Sequence, residues 1–180
     1  MAISLKQDTE SKALASVLIP SYNSPDLKGA VKSVLNQDYP KIEIILIDDC
    51  SSSFDESDIV DYINENKASN ILNFIISRNK QNLGTVKTMN RAFEYAKGEY
   101  IFSLAGDDCF YDEQVISDWV KEFEKSKAQC ITAKRVDYDF NMVEVRGIAP
   151  TKLQIHMLKN LSPYELFEKL AVENFVLGCC

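Results

Sequence analysis

The sequence predicts an α/β fold, with a mostly parallel sheet and helices on both of its faces. Short apolar runs alternate along the chain with segments whose apolar residues recur at helical spacing, and the connections between them are short. Such alternation produces parallel strands, because each helix carries the chain back to the start of the next strand. The length of 180 residues fits about one domain, at roughly 150 residues per domain.

Two strands and a helix are predicted in the first quarter of the chain. Ala15–Pro20 is apolar and ends at a proline before a turn-like segment. The apolar residues of Leu27–Leu35 recur at i, i+3, i+4, i+7 and i+8, which is one face of a helix. We expect Ser24 to cap this helix, with Pro25 at its first position. Ile42–Ile47 is almost wholly apolar, which is typical of a strand buried on both faces.

The middle of the chain continues the alternation. Ile59–Asn66 has weak helical periodicity, and Ile71–Ile76 is a third strand candidate. The residues from Val86 to Ala96 place apolar side chains on one helical face, and we expect Gly98 to cap the end of that helix. Tyr100–Leu104 is the fourth predicted strand.

The pattern weakens toward the end of the chain. Apolar residues from Val115 to Phe123 predict a fourth helix. We expect a fifth strand at Cys130–Ala133, with a continuation through Val136–Tyr138. The segment 141–150 predicts no element, and Ser162-Pro163 predicts the start of a further helix that ends at Ala171.

Composition excludes several classes of protein. The 20 basic and 27 acidic residues give a net charge of −7 and a pI near 4.8. This balance disfavours a general nucleic-acid or anionic-membrane binder, since both require a basic surface. No apolar run is long enough to span a bilayer. The five cysteines show no spacing typical of a metal site, and we expect them to be free thiols in a reducing cytoplasm.

Polar residues follow all four of the first predicted strands. Because carboxyl ends of parallel strands meet at one edge, where α/β proteins bind ligands, this clustering predicts a functional site. The residues concerned are Ser21, Tyr22, Asn23, Asp48, Asp49, Ser77, Arg78, Asp107 and Asp108.

The adjacent Asp107 and Asp108 predict a divalent-cation site. Mg²⁺ and Mn²⁺ bind one or two carboxylates and complete their coordination with substrate phosphates. An Asx turn or a helix cap is the structural alternative, but Asp112 is the better cap for the following helix. Asp48 and Asp49 are less specific: they can cap or turn, or accept a hydrogen bond from a uracil imide or a ribose hydroxyl.

A local basic cluster lies within this acidic chain. Arg78, Lys80 and Lys87 are arranged to meet a diphosphate, and Gly84 lets the backbone approach it near a helix N-terminus. Lysines that are simply solvated are the alternative. Tyr22 is placed to stack on a base or to pack against the protein. The chain has neither the G-x-G-x-x-G nor the G-x-x-x-x-G-K-[ST] phosphate-binding motif.

These motifs, taken together, resemble the family 2 glycosyltransferases. The matching features appear in order as IPSYN, SVLNQDYP, the Asp-Asp-x-Ser turn, N-x-G, AKGEYI and the second aspartate pair, over roughly Ala15–Ala133. Each motif alone is weak, whereas their combined order and spacing are highly specific.

The resemblance implies the GT-A fold, a Rossmann-like and mostly parallel sheet flanked by helices. It also implies an inverting transfer of a sugar from a nucleotide diphosphate donor, commonly UDP-linked, to a hydroxyl acceptor. Asp108, with Asp107, would bind Mn²⁺ or Mg²⁺, and the metal would act as a Lewis acid on the departing diphosphate. The residues predicted to bind the nucleotide sugar are Pro20, Tyr22, Asn23, Asp49, Arg78, Lys87 and Asp107.

Two positions differ from the family pattern. Ala105 stands where many members have the first aspartate of L-D-x-D-D, and Met89 stands where many have an arginine before Asn90. The family takes its catalytic base from an acceptor-side segment, and nothing between Val136 and Cys180 matches it. Glu165, Glu168 and Glu173 are typical of the solvated face of a helix, so no catalytic residue is assigned.

The resemblance also gives the expected organisation of the chain. We predict a polar N-terminal tail at residues 1–13, a nucleotide-sugar-binding α/β domain at 14–135, and the start of an acceptor-side region at 136–180. Because the chain stops in an apolar stretch, we expect it to be truncated. The expected partners are a UDP-sugar and a glycan or lipid-linked acceptor, with no nucleic acid. The expected location is the cytoplasm, with peripheral association of the full-length protein at the inner membrane face left open.

Two alternatives to a transferase active in polysaccharide or glycan synthesis stay open. A noncatalytic nucleotide-sugar binding module would bind without turnover. Another α/β phosphate-handling protein, such as a nucleotidyltransferase or a receiver domain, is the weakest alternative, because IPSYN is not a Gly-rich loop and Ser77-Arg78 replaces a phospho-accepting aspartate.

Overall fold

The structure is a computed structural model that describes residues 12–139 and 143–172. Most of the predicted tail, Glu173 and the final apolar stretch lie outside the described residues. The elements follow in the order β1 (Ala15–Ser21), α1 (Leu27–Leu35), β2 (Ile42–Asp48), α2 (Glu56–Asn66), β3 (Ile71–Arg78), α3 (Thr85–Tyr95), β4 (Tyr100–Ser103), α4 (Val115–Ser126), β5 (Arg135–Tyr138), β6 (Val145–Ala149), α5 (Lys152–Asn160) and α6 (Pro163–Val172).

The first four strands form one parallel sheet in the order β3-β2-β1-β4, which confirms the predicted α/β class. β1 and β2 pair along their whole length, from Ala15 opposite Ile42 to Ser21 opposite Asp48. All seven residues of β2 are buried, as its almost wholly apolar run predicts for a strand covered on both faces. β3 is more exposed because it has a neighbour on one side only within the described sheet.

Helix α3 covers one face of the sheet. Leu18 of β1, Ile45 and Ile47 of β2 and Ala92 of α3 form a fully buried cluster, and Met89 packs against it. Burial of such side chains stabilises the fold by about 1.5–3 kcal/mol for each large one. The same contact fixes the direction in which α3 leaves the carboxyl edge of the sheet.

A buried carboxylate ties the amino ends of the strands to the end of α3. Glu43, 1% exposed, accepts hydrogen bonds at Oε1 from the Ser16 hydroxyl at 2.5 Å and from the Lys97 and Gly98 amides at 2.6 and 3.2 Å. Gly98 does not cap α3 as predicted, because the helix already ends in the extended residue Ala96. A Cβ at Gly98 would lie 2.7 Å from the Leu14 carbonyl oxygen, so close packing requires the glycine.

Three further expectations about local structure were wrong. Asp26, not Ser24, caps α1, because its carboxylate accepts from the Gly29 amide at 3.1 Å. Cys130–Ala133 is not a strand. The strand here is β5, Arg135–Tyr138, which includes the predicted Val136–Tyr138. It pairs antiparallel with β6, which lies in the segment 141–150 for which the sequence predicts no element. Such a short pair is specified by its partner strand more than by its own sequence.

The chain divides into two compact units, with the boundary between Asp118 and Trp119. The first contains the parallel sheet and α1 to α3, and the second contains β5, β6, α5 and α6. Among the residues described, no helix is both long enough and apolar enough to cross a membrane.

Replacing Gly98 with Ala is expected to lower the free energy of unfolding by about 1–3 kcal/mol, because the new methyl group overpacks against backbone. Gly147→Ala is the matched control, since its added Cβ would meet its nearest neighbour, Asp137 Oδ2, at an ordinary 3.5 Å. Urea unfolding followed by circular dichroism measures both. Equal losses in the two variants would contradict the assignment of Gly98 to a close approach.

Candidate functional site

The strand order places a crevice beyond the carboxyl end of β1. The chain leaves β1 toward β2 on one side and returns to β4 on the other, and α/β proteins bind ligands at such a switch point. The loops after β1, β2, β3 and β4 all emerge at this edge, because the four strands are parallel. Every predicted site residue except Lys87, which is in α3, lies on a strand end or on one of these loops.

Backbone hydrogen bonds join the four loops into a continuous rim. The Gly106 amide donates to the Pro20 carbonyl at 3.0 Å, which fixes the loop after β4 beside β1. The Asp49 amide donates to the Ser21 carbonyl at 2.7 Å, and the Asn79 amide donates to the Asp48 carbonyl at 2.7 Å. These backbone bonds set the spacing of the four loops along the edge of the sheet.

Asn23 connects the loop after β1 to the loop after β2. Its backbone has a positive φ of 48°, a conformation that asparagine tolerates better than most residues. Its amide donates to Ser51 Oγ at 2.7 Å, and its side-chain oxygen accepts from the Ser52 amide at 2.9 Å. The neighbouring Tyr22 is 53% exposed, so about half of its surface is open to solvent and available for stacking.

Arg78 pairs with a buried carboxylate. Asp48 is fully buried and accepts from the Ser51 amide at 2.9 Å, from the Ser51 hydroxyl, and from Arg78 Nε at 3.2 Å. Arg78 also donates to the Ser51 carbonyl. The guanidinium predicted to meet a diphosphate is thus engaged with the loop after β2, although part of its side chain is exposed.

Asp49 organises the loop that leads into α3. It is 4% exposed and accepts hydrogen bonds from Asn79 Nδ2 at 2.7 Å, the Leu83 amide at 2.8 Å and the Gly84 amide at 2.9 Å. Burial alone would raise the pKa of this carboxyl. The donors, with Leu83 the largest contributor, outweigh that effect and hold the pKa below its usual value of 3.8.

Sequence reasoning missed the residues that form a hydrogen-bond network with Asp49. Asn79 also donates to Thr88 Oγ1 at 2.9 Å, and both residues are buried. Arg91 donates to the Asn79 side-chain oxygen at 2.5 Å and to Ser77 Oγ at 2.6 Å. One signal for this role was available in the sequence. Many family members have an arginine at the position of Met89, and this chain has Arg91 two residues later in α3.

The carboxylate pair occupies a tight turn after β4. The Asp108 amide donates to the Ala105 carbonyl at 3.0 Å, Asp107 is exposed, and Asp108 is half-buried. Groups of three or more metal-ligating side chains do not occur within residues 12–139 and 143–172. The two hard oxygen donors nevertheless fit Mg²⁺ or Mn²⁺, which bind through one or two carboxylates and substrate phosphates.

Cys109, next to the pair, lies in surroundings that favour its thiol over its thiolate form. Burial raises the pKa of its sulfhydryl, and the negative charges of Asp26 and Asp108 raise it further. Of the predicted free cysteines, Cys50, Cys109 and Cys130 are unpaired in the structure. Cys179 and Cys180 lie outside the described residues.

Lys87 is exposed on the first turn of α3. Gly84 precedes that turn with a φ of 80°, a conformation that favours glycine, and provides no side-chain cap. The uncapped N-terminus and the adjacent ammonium group provide positive charge at the same edge of the sheet as the carboxylate pair.

A pocket of about 580 Å³ lies between the turn after β1 and the loop after β2. Hydroxyl and carboxylate groups dominate its lining, including Ser24, Ser52, Asp26 and Asp55. Asp107 and Asp108 do not line it. The carboxylate pair suited to a metal–diphosphate ligand therefore lies outside this pocket, in the turn after β4.

Comparison with known protein families matches residues 16–173 to the model of glycosyl transferase family 2. The chain belongs to this family. The match covers the rim, the carboxylate pair and most of the second compact unit, and it confirms the resemblance drawn from the sequence motifs.

Two bacterial members of the family illustrate the relationship. TuaG of Bacillus subtilis (strain 168), named as a glycosyltransferase of teichuronic acid biosynthesis, is 27% identical over 174 residues, which are 95% of this chain and 62% of TuaG. The UDP-Glc:alpha-D-GlcNAc-diphosphoundecaprenol beta-1,3-glucosyltransferase WfaP of Escherichia coli is 36% identical over 63% of this chain and 43% of its own. The chain thus spans less than two thirds of these relatives.

Solved glycosyltransferase structures share the fold of this family member. Staphylococcus aureus TarS, residues 1–349, superposes with a TM-score of 0.54 and 26% identity over 62% of this chain and 32% of its own. The same fragment of TarS in complex with UDP-GlcNAc gives a TM-score of 0.53. The mannosyltransferase PcManGT of Pyrobaculum calidifontis, at 19% identity and a TM-score of 0.57 over 69% of this chain and 35% of its own, supports the fold alone. The predicted GT-A fold is confirmed.

Replacing Asp49 with Asn is expected to lower the free energy of unfolding by about 1–3 kcal/mol at pH 7. The reason is that the Asn79 side chain and the Leu83 and Gly84 amides lose a charged acceptor. The depressed pKa means that the carboxylate's contribution is complete above pH 3.8 and is lost as the pH falls from there through the folded-state pKa. The difference between wild type and variant should therefore narrow below pH 3.8.

Urea unfolding between pH 7 and pH 3 measures this effect. Asp61→Asn, which makes the same change at an exposed position on α2, is the control and should alter stability by less than about 0.5 kcal/mol. A pH-independent difference between wild type and Asp49→Asn would show that charge at Asp49 does not stabilise the loop.

Proposed function

We propose that this chain binds a nucleotide-diphosphate sugar, with UDP as the nucleotide, at the crevice beyond β1 and β4. The observation that carries the proposal is the rim itself: the loop after β1 and the turn holding Asp107 and Asp108 are bonded together at the switch point of the sheet. An aromatic face suited to a base and an acidic turn suited to a metal–diphosphate are then neighbours.

The relatives support a uridine donor. The name of WfaP includes UDP-Glc, and TarS has been crystallised with UDP-GlcNAc and with UDP. TuaG and the Escherichia coli protein WcaA are named for teichuronic and colanic acid biosynthesis. We therefore place the full protein in surface polysaccharide or glycan synthesis, with a glycan or lipid-linked hydroxyl acceptor.

Each side chain has a proposed task in donor binding. The exposed Tyr22 ring, with Pro20 beside it, stacks on the base. Asp49, held by the Asn79 side chain and the Leu83 and Gly84 amides, is proposed to accept the imide N–H of the base. Lys87 and the N-terminus of α3 attract the diphosphate, whereas Arg78 and Asn23 act by holding the rim.

Asp107 and Asp108 are the proposed ligands of Mn²⁺ or Mg²⁺. When bound, the cation acts as a Lewis acid that stabilises negative charge on the departing diphosphate. The two carboxylates would hold the cation close to the loop proposed to bind the base. Their turn is attached to that loop because the Gly106 amide donates to the Pro20 carbonyl.

The complete reaction is proposed as an inverting transfer, in which the acceptor hydroxyl attacks the anomeric carbon as the nucleotide diphosphate leaves. A carboxylate base would remove the hydroxyl proton. No described residue is assigned that role. The full-length protein is proposed to act in the cytoplasm, in peripheral association with the inner membrane face.

Calorimetric titration of UDP in the presence of Mn²⁺, repeated in EDTA, tests the proposal. We expect metal-dependent binding that Asp108→Asn weakens at least tenfold in Mn²⁺, because the variant replaces a carboxylate ligand of the metal with a neutral amide. Asp61→Asn is the charge-matched control and should bind like wild type. Absence of UDP binding in either condition would overturn the uridine-donor proposal, and GDP would then be titrated.

The noncatalytic alternative predicts the same UDP binding in the titration. It differs in a second experiment, which measures turnover of the donor. A protein that extends over the full length of its relatives would bind UDP and yet release no UDP from UDP-Glc or UDP-GlcNAc in the presence of hydroxyl acceptors. Turnover that requires Asp108 would exclude this alternative.

A further inference from the structure

The segment that follows the carboxylate pair is fastened by side chains of α1 and its C-terminal turn. On the preceding side, backbone bonds hold the chain to β1, from the Leu104 amide to the Leu18 carbonyl at 3.0 Å and from the Gly106 amide to the Pro20 carbonyl at 3.0 Å. On the following side, residues 110–117 are attached through three residues at the end of α1, and side chains take part in each attachment.

Gln37 makes the central attachment. It is 3% exposed, and its amide nitrogen donates to the Asp112 carbonyl at 2.6 Å and to the Ser33 carbonyl at 3.1 Å. Its amide oxygen accepts from the Ile116 amide at 3.0 Å. A primary amide can satisfy two carbonyls and one N–H in this arrangement, whereas a carboxylate cannot, because it has no donor.

Two neighbours extend the attachment in both directions. Ser33 Oγ accepts from the Phe110 amide at 3.1 Å, two residues after Asp108. The Asp38 amide donates to the Glu113 carbonyl at 2.8 Å, and the Asp38 carboxylate accepts from the Ser117 hydroxyl. The bonds to Ser33, Gln37 and Asp38 span residues 110–117, so the turn at Asp107-Asp108 is clamped between the sheet and α1.

We propose that Gln37 is a positioning residue for the carboxylate pair, acting through the segment 110–116. This inference rests on the proposed donor site, for which the pair supplies the metal ligands. Groups that orient metal ligands typically change metal affinity 10–100-fold when they are removed. Gln37 is itself buried, and it limits the positions available to Asp108 by fixing the chain that follows it.

Gln37→Glu is the test variant, because it replaces the donor of two hydrogen bonds and retains size and shape. Glu43→Gln is the matched control, since it makes the reverse change in a buried side chain that also makes three hydrogen bonds, but at the amino ends of the strands. Hydrogen–deuterium exchange followed by mass spectrometry measures the loosening. Electron paramagnetic resonance of Mn²⁺, with and without UDP, measures metal affinity.

The expected result is faster exchange across residues 107–117 in Gln37→Glu, with the exchange of β1 and β2 unchanged, and about tenfold weaker Mn²⁺ binding in the presence of UDP. Glu43→Gln should show neither change at the carboxylate turn. Unchanged exchange in 107–117, or faster exchange with unaltered Mn²⁺ affinity, would overturn the inference.

Ser33→Ala covers the case in which Gln37→Glu fails to fold. It removes the acceptor of the Phe110 amide and should produce the same two changes at a smaller amplitude, about fivefold in Mn²⁺ affinity, as expected for one hydrogen bond. If wild type binds no Mn²⁺ with UDP, the proposed donor site fails. The exchange data then still decide whether Gln37 holds the turn.

Discussion

The geometry of the site depends on the two buried carboxylates at the end of β2. Asp48 accepts a hydrogen bond from the Ser51 amide and pairs with Arg78, and Asp49 accepts hydrogen bonds from the amides of Leu83 and Gly84. Burying two adjacent negative charges is unfavourable unless each is fully hydrogen-bonded, so these loops must adopt the conformations that supply the donors. The cost of burial thereby imposes one arrangement on two loops, the one after β2 and the one between β3 and α3, that would otherwise be free to vary.

This arrangement divides the work between residues that build the rim and residues that face the crevice. Asn23, Arg78 and Asn79 satisfy other protein groups, whereas Tyr22, Lys87 and Asp107 remain exposed. A polar residue at a strand end is therefore not by itself a ligand-binding residue. The residues bonded to other protein groups provide rigidity, and rigidity reduces the ordering cost that a ligand would otherwise meet on binding.

The sequence allowed the parallel sheet to be predicted closely, because its strands are apolar runs that need no knowledge of their partners. β1 to β4 match the predicted segments to within two residues at each end. The position of the carboxylate pair at the carboxyl edge followed from the same topology. Local choices were harder: whether Ser24 or Asp26 caps α1 depends on a turn geometry that both residue types can adopt.

The supporting network and the second unit could not be predicted for different reasons. Which donors reach Asp49 depends on the path of the loop between β3 and α3, and this path is set by contacts distant in sequence, such as that between Arg91 and Asn79. β5 and β6 are short, and pairing across an intervening loop determines their extent. Neither feature has a periodic signature that a single sequence displays.

Backbone amides and carbonyls form the bonds that join the loops of the rim, so side chains there can change during evolution without breaking those bonds. Ala105, at the position where many family members have aspartate, contributes to the turn through its carbonyl oxygen, which accepts from the Asp108 amide. Its side chain carries none of the bonds that shape the turn. A position whose structural duty belongs to the main chain can exchange side chains without loss of architecture, so ligand preference can evolve there separately from folding.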